Sequence, residues 1–131
     1  MVLLDTDILI KFLRDDNSAK KKISEFIDSH LILNTTSINI AELYFGAFLS
    51  ESLDENIKAI NNLISKLNII SFTASHGKIY GQIRADLQKR GTLINELDMF
   101  IASIAIESEQ TLITRNIKHY EKINQVQIET W

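Results

Sequence analysis

Val2-Leu3-Leu4-Asp5-Thr6-Asp7-Ile8-Leu9-Ile10 decides how this chain folds. Three apolar residues in a row, without alternation, read as a strand buried on both faces, the mark of a parallel sheet covered by helices on either side. The polar trio Asp5-Thr6-Asp7 ends that strand, and Ile8, Leu9, Phe12 and Leu13 then recur at helical spacing over residues 7–13. A strand running straight into a helix is the opening unit of an α/β domain.

The same alternation continues outward from this stretch. Residues 18–29 predict a helix with Ile23, Phe26 and Ile27 inward and Lys20, Lys21 and Lys22 outward. Leu31-Ile32-Leu33 predicts a second strand, and residues 34–37 a polar turn leading into a helix with Ile40, Leu43, Tyr44 and Ala47 on its buried face. Further helices are expected over 53–66, over Ala74–Lys89 with Gly91 as its stop, and after Asn95. Residues 68–72 and 111–114 supply third and fourth strands, and 126–129 a fifth at one edge. No repeat or linker interrupts the pattern, so residues 1–131 are expected to form a single domain.

Composition narrows the functional classes. At 131 residues, 45% hydrophobic and 24% charged, the chain is of ordinary globular make-up. It has no cysteine, which removes disulfides, thiolate metal sites and thiol nucleophiles together. No apolar run approaches the roughly 18 residues of a membrane span. Asp5 and Asp7 interrupt what would be the core of a signal peptide, so a soluble, cytoplasmic protein is expected. A net charge of −3 argues against bulk electrostatic binding of nucleic acid but leaves room for a basic rim around an acidic centre. With no proline and four glycines there is no phosphate-cradling loop of the P-loop or dinucleotide type.

Four polar residues fall where an open α/β sheet builds its site, beyond the carboxyl ends of the strands. Asp5 follows the first strand, Glu42 lies a turn into the helix after the second, Asp98 opens the helix begun by Asn95, and Asn116 follows the fourth strand. Converging carboxylates repel, and burial sharpens the repulsion, so they call for a cation. Oxygen ligands without cysteine or a histidine pair select a hard metal, Mg²⁺ or Mn²⁺. Helix capping is the competing reading: Asp5 is placed to cap the helix after it, and Asn39/Glu42 and Asn95/Asp98 both have capping-box spacing.

His30, His76 and His119 lack metal-ligand spacing and read as solvated or turn residues. No serine sits in a G-x-S-x-G elbow. Lys78, Arg84, Lys89, Arg90, Arg115 and Lys118 are candidates for phosphate contacts, with a plain solvated surface as the alternative.

The order of motifs resembles the PIN-domain ribonucleases, and among them the VapC-type toxins. Leu3-Leu4-Asp5-Thr6-Asp7 is similar to that family's opening, Glu42-Leu43-Tyr44-Phe45-Gly46-Ala47 to its E-L-x-x-G-A helix, and Asp98-Met99-Phe100-Ile101-Ala102-Ser103, preceded by Arg90-Gly91-Thr92, to its D-x-x-I-A-A segment. Leu112-Ile113-Thr114-Arg115-Asn116 with Tyr120, and Trp131, match the stretch that closes such toxins. The resemblance implies a three-layer α/β/α fold around a central, mostly parallel sheet of four to five strands. It implies a Mg²⁺-dependent endoribonuclease, Mn²⁺ substituting, with Asp5 and Asp98 as metal ligands and Glu42 and Asn116 completing the catalytic set. It also implies a homodimer restrained by a VapB-type antitoxin; from the basic group above, Arg84, Lys89, Arg90 and Arg115 are the expected RNA contacts.

Two positions depart from the family pattern. Asn116 stands where many relatives carry Asp, and Asn95 where they often carry Gly. The first removes a negative charge, so one tight ion and a second recruited with the RNA are expected. Water activated by the cation would be the nucleophile, leaving 5′-phosphate ends. Two rivals stand beside this reading. Asp5-Thr6-Asp7 is a D-x-D of the haloacid-dehalogenase phosphatase kind, though Leu9 and the absence of a late acidic pair fit it poorly. A PIN-like binding module without catalysis is the other.

Overall fold

The computed structural model describes residues 1–131 and is an α/β/α sandwich. Its strands are β1 (Val2–Leu4), β2 (Leu33–Thr36), β3 (Asn68–Ile70), β4 (Thr111–Ile113) and β5 (Ile128–Glu129). Its helices are α1 (Thr6–Leu13), α2 (Asn17–Asp28), α3 (Ser37–Leu49), α4 (Leu53–Ile64), α5 (Ala74–Lys89), α6 (Glu96–Glu107) and α7 (Ile117–Tyr120). All five strands are parallel in the order β3-β2-β1-β4-β5, with Leu4 opposite Ile113 and Leu3 opposite Asn34.

Successive side chains of a strand point to opposite faces, and the core divides accordingly. Leu3 and Leu112 face Ile83 and Leu87 of α5, Met99, Ile101 and Ile104 of α6, and Tyr120 of α7. Leu4, Leu33 and Ile113 face Ile8 and Leu9 of α1, Ile23 of α2, Leu43 of α3 and Ile60 and Leu63 of α4. Helices therefore cover both faces, as the unalternating run at β1 requires.

Three expectations need correction. The second strand is not Leu31-Ile32-Leu33: Leu31 and Ile32 are exposed, and the strand runs through the polar residues Asn34, Thr35 and Thr36. Burial of these side chains is offset by partners on neighbouring strands. Asn34 Nδ2 donates to Val2 O and to Gln110 Oε1, Asn68 Nδ2 donates to Asn34 Oδ1, and Thr35 Oγ1 donates to Leu4 O. His76 is not a solvated residue either. It is buried, its Nδ1 accepts the Thr73 N–H that opens α5, and its Nε2 pairs with Glu107. His119, read as a solvated or turn residue, lies in the short helix α7, which matters for the site.

Gly91 takes φ +67°, the left-handed conformation that ends α5 and that a side chain would strain.

Candidate active site

The carboxyl ends of β1 and β4, the second turn of α3 and the first turn of α6 meet around one acidic cleft. Asp5, Thr6, Asp7, Ile10, Glu42, Asp98, Arg115 and Asn116 line it, around a space of about 410 Å³. The structure thus brings Asp5, Glu42, Asp98 and Asn116 together.

Asp5 is almost fully buried and caps α1, its Oδ1 accepting Thr6 N–H at 2.8 Å. The capping reading is correct for this residue, yet the cap uses only part of its capacity. Oδ1 also accepts from Asn39 Nδ2 at 3.0 Å, and Oδ2 accepts from Thr114 Oγ1 at 2.8 Å. Burial, with the negative charge of Asp7 second, pushes its carboxyl up to about 7; the Thr114 and Thr6 hydrogen bonds oppose the shift.

Asn39 owes its direction to a capping box. Thr36 caps α3 with its hydroxyl, Asn39 Oδ1 accepts Thr36 N–H in return, and the Asn39 NH₂ is left to face Asp5 and Thr6. Glu42 is therefore not the capping partner its spacing suggested. It is half-buried, with Oε1 accepting from Thr6 Oγ1 at 2.7 Å. Burial raises its pKa, the charges of Asp98 and Asp7 add to the rise, and the Thr6 bond resists it.

Asp98 makes no capping bond; Asn95 alone caps α6, accepting Leu97 N–H. Its carboxylate turns to α7 and the turn before it. Oδ2 accepts from Asn116 Nδ2 at 3.2 Å and lies 2.6 Å from His119 Nδ1, and Oδ1 accepts from Tyr120 OH at 3.3 Å. Burial first, then the charges of Asp5 and Asp98, hold the Tyr120 phenol well above its ordinary pKa, so it stays a neutral donor. His119, read as solvated, is thus a partner of the site. Nothing in its spacing signals this; it follows from the short helix.

Asp7 is a further carboxylate at the cleft that sequence reasoning passed over. Oδ2 accepts Arg115 N–H at 2.8 Å, while Oδ1 is enclosed without a hydrogen-bond partner. The D-x-D spacing marks it as an acid beside Asp5, and only the fold shows that it braces the turn after β4.

The basic candidates separate. Arg115 lines the cleft. Arg84 pairs with Glu96 and with Tyr80, Arg90 pairs with Asp86 and donates to Lys122 O, and Lys89 is exposed; none of the three lines the cleft.

No three His, Asp or Glu side chains converge closely enough to enclose an ion by themselves. The donor set nonetheless fits a hard divalent cation. Mg²⁺ keeps several waters and takes one or two carboxylates, which two acids across an open cleft supply. An orphaned carboxylate oxygen on Asp7 and a carboxyl on Asp5 driven toward its protonated form both mark a place short of positive charge.

Residues 2–124 match the PIN domain family. Over 129 residues the chain is 33% identical to Ribonuclease VapC2 of Haemophilus influenzae, spanning 98% of this chain and 96% of that protein. It is 30% identical over 131 residues to the tRNA(fMet)-specific endonuclease VapC of Salmonella typhimurium, spanning 94% and 99%. Among solved structures, VapBC2 from Rickettsia felis, bound to a DNA fragment from its promoter, superposes with a TM-score of 0.92 at 30% identity, over 100% of this chain and 99% of that one.

Proposed function

The chain belongs to the PIN-domain family, and on that premise we propose that it is an endoribonuclease, the toxin of a toxin–antitoxin pair. The observation that carries the reading is the convergence of Asp5, Glu42 and Asp98 with Asn116 on one cleft. Family membership sets aside the phosphatase alternative, and retention of all three acids speaks against a binding module that has lost catalysis.

Asp5 and Asp98 would hold Mg²⁺, or Mn²⁺ in its place. When bound, such a cation lowers the pKa of a water and neutralises charge on the scissile phosphate. Thr6 fixes one oxygen of Glu42, so the other is positioned to accept a proton from the attacking water. Asn116 and Tyr120 steady Asp98 as neutral donors without adding charge to the cleft. The water adds to phosphorus, the P–O3′ bond breaks, and the products carry a 5′-phosphate and a 3′-hydroxyl. Thr114 links the two halves of the site by donating to Asp5 and accepting Asn116 N–H at 3.0 Å.

The partner is a VapB-type antitoxin, supported by the VapBC complexes among the structural relatives. Homodimerisation is supported by Phe45, Phe48 and Leu49, which leave an apolar surface exposed on α3. No helix is long and apolar enough to cross a membrane, in keeping with a cytoplasmic place of action.

Cleavage of total RNA in Mg²⁺ tests the function. Wild type should cut, EDTA should stop it, and Asp5→Asn should be inactive while still binding RNA in Ca²⁺. Cleavage by Asp5→Asn, or indifference to EDTA, would overturn the assignment.

A further inference from the structure

Asp5, Asp7, Glu42 and Asp98 line the cleft, and Arg115 is the one basic side chain among its lining residues. An RNA backbone approaching that centre meets four carboxylates and this one cation. A guanidinium suits the task, because its planar fork matches two phosphate oxygens at once.

Arg115 is anchored at its base and loose at its tip. Its backbone N–H donates to Asp7 Oδ2 at 2.8 Å, and its Nε donates to Trp131 O at 2.8 Å. Its terminal nitrogens reach the Asp16 carboxylate at 3.0 and 3.4 Å. The longer contact lies outside the range of a tight charge-assisted bond. Both partners are also partly open to solvent, where an ion pair contributes little to stability. Asp16 does not depend on the arginine for its position, since it caps α2 by accepting Ala19 N–H at 3.1 Å. The terminal nitrogens can therefore swing away from Asp16 while the carboxylate stays in place and Nε keeps its bond to Trp131 O.

Resting on the nuclease reading, we infer that Arg115 is the phosphate contact nearest the acidic centre and that Asp16 holds it in reserve, the guanidinium exchanging a carboxylate for a phosphate as RNA enters. Asp16 thereby sets how readily the cleft accepts substrate. The competing role for the same contacts is a purely structural clasp joining the turn after β4 to α2 and to Trp131.

Binding of a fluorescein-labelled, single-stranded RNA of mixed sequence, in Ca²⁺ and over a range of salt, separates the two. Asp16→Asn keeps a good helix cap and removes the charge that restrains the arginine. It should tighten binding several-fold. Arg115→Ala should weaken binding about tenfold, the loss of one charge-assisted contact, and flatten the dependence of log K on log salt by roughly 0.7. Arg115→Lys, which keeps the charge without the fork, should fall between. In the Arg115→Ala background Asp16→Asn should have no further effect. Thermal melting of each variant reports the structural contribution separately. Lower melting temperatures with wild-type affinity and salt slope would make Arg115 a clasp and overturn the inference alone, provided wild type cuts RNA. A wild type that neither binds nor cuts RNA would overturn the inference and the nuclease reading together.

Discussion

The Thr6 hydroxyl donates to Glu42 Oε1 at 2.7 Å and accepts Asn39 Nδ2 at 2.9 Å, so one side chain links the acid on α3 to the amide that also holds Asp5. Two proposed functional carboxylates therefore share a single support. Thr6→Val keeps the shape and removes the link. Supports of this kind govern metal affinity by 10–100-fold, roughly, when lost. Thr6→Val should weaken Mn²⁺ binding by that order in calorimetry, with the larger penalty falling on cleavage because Glu42 is freed as well.

Asp5 predicts an unusual pH dependence. In the folded chain its carboxyl holds a proton up to about pH 7, against 3.8 ordinarily. Between those values this carboxyl binds more protons in the folded state than in the unfolded one, so its contribution to stability is greatest at low pH and falls as pH rises. The difference is worth roughly 4 kcal/mol by pH 8. Calorimetric melting in EDTA should show a lower Tm at pH 8 than at pH 5. Asp5→Asn should flatten that fall, and Mn²⁺ should raise the wild-type Tm most at the alkaline end.

Relief of repulsion alone predicts that Asp98→Asn stabilises the metal-free protein. Two donors on Asp98, Asn116 Nδ2 and Tyr120 OH, reverse the sign. An amide there turns its own NH₂ toward one of them, leaving a donor unsatisfied at a cost of roughly 1–3 kcal/mol. Asp98→Asn should therefore lose Mn²⁺ binding and melt below wild type in EDTA.

Phe45 and Phe48 are about two-thirds exposed, at 66% and 68%, with Leu49 beside them at 72%. Such side chains contribute nothing to the core of one copy. Phe48→Glu should leave the melting curve of the isolated fold intact and halve the mass measured by light scattering at micromolar concentration.

Much of this architecture is legible in the chain because its signals are local. Val2-Leu3-Leu4 reads as a buried strand from its own composition, and Ala74–Lys89 reads as a helix with its stop at Gly91. Asn34-Thr35-Thr36 does not read as a strand, because what makes those polar groups buriable lies on other strands, at Val2, Leu4, Asn68 and Gln110. The acids were visible at strand ends and helix starts, where α/β folds place chemistry. Their supports were not. Asn39 looks like a cap and is one, and its second role depends on which atoms the cap leaves free. His119 and Asp16 acquire their distant partners only once the chain beyond β4 is in place, and Asp7 only once β4 lies beside β1.

That last pairing also sets when activity can exist. Asp5 waits for Thr114, which the ribosome adds 109 residues later, and Asp98 waits for Tyr120. β1 has half its neighbours until β4 is made, because β4 pairs with it along its full length. On the proposed site, a nascent chain that carries Asp5 and Glu42 but not yet Thr114 and Tyr120 lacks the assembled cleft. The proposed nuclease would therefore be complete only once its last strands are made, by which time a separately translated inhibitor can already be waiting.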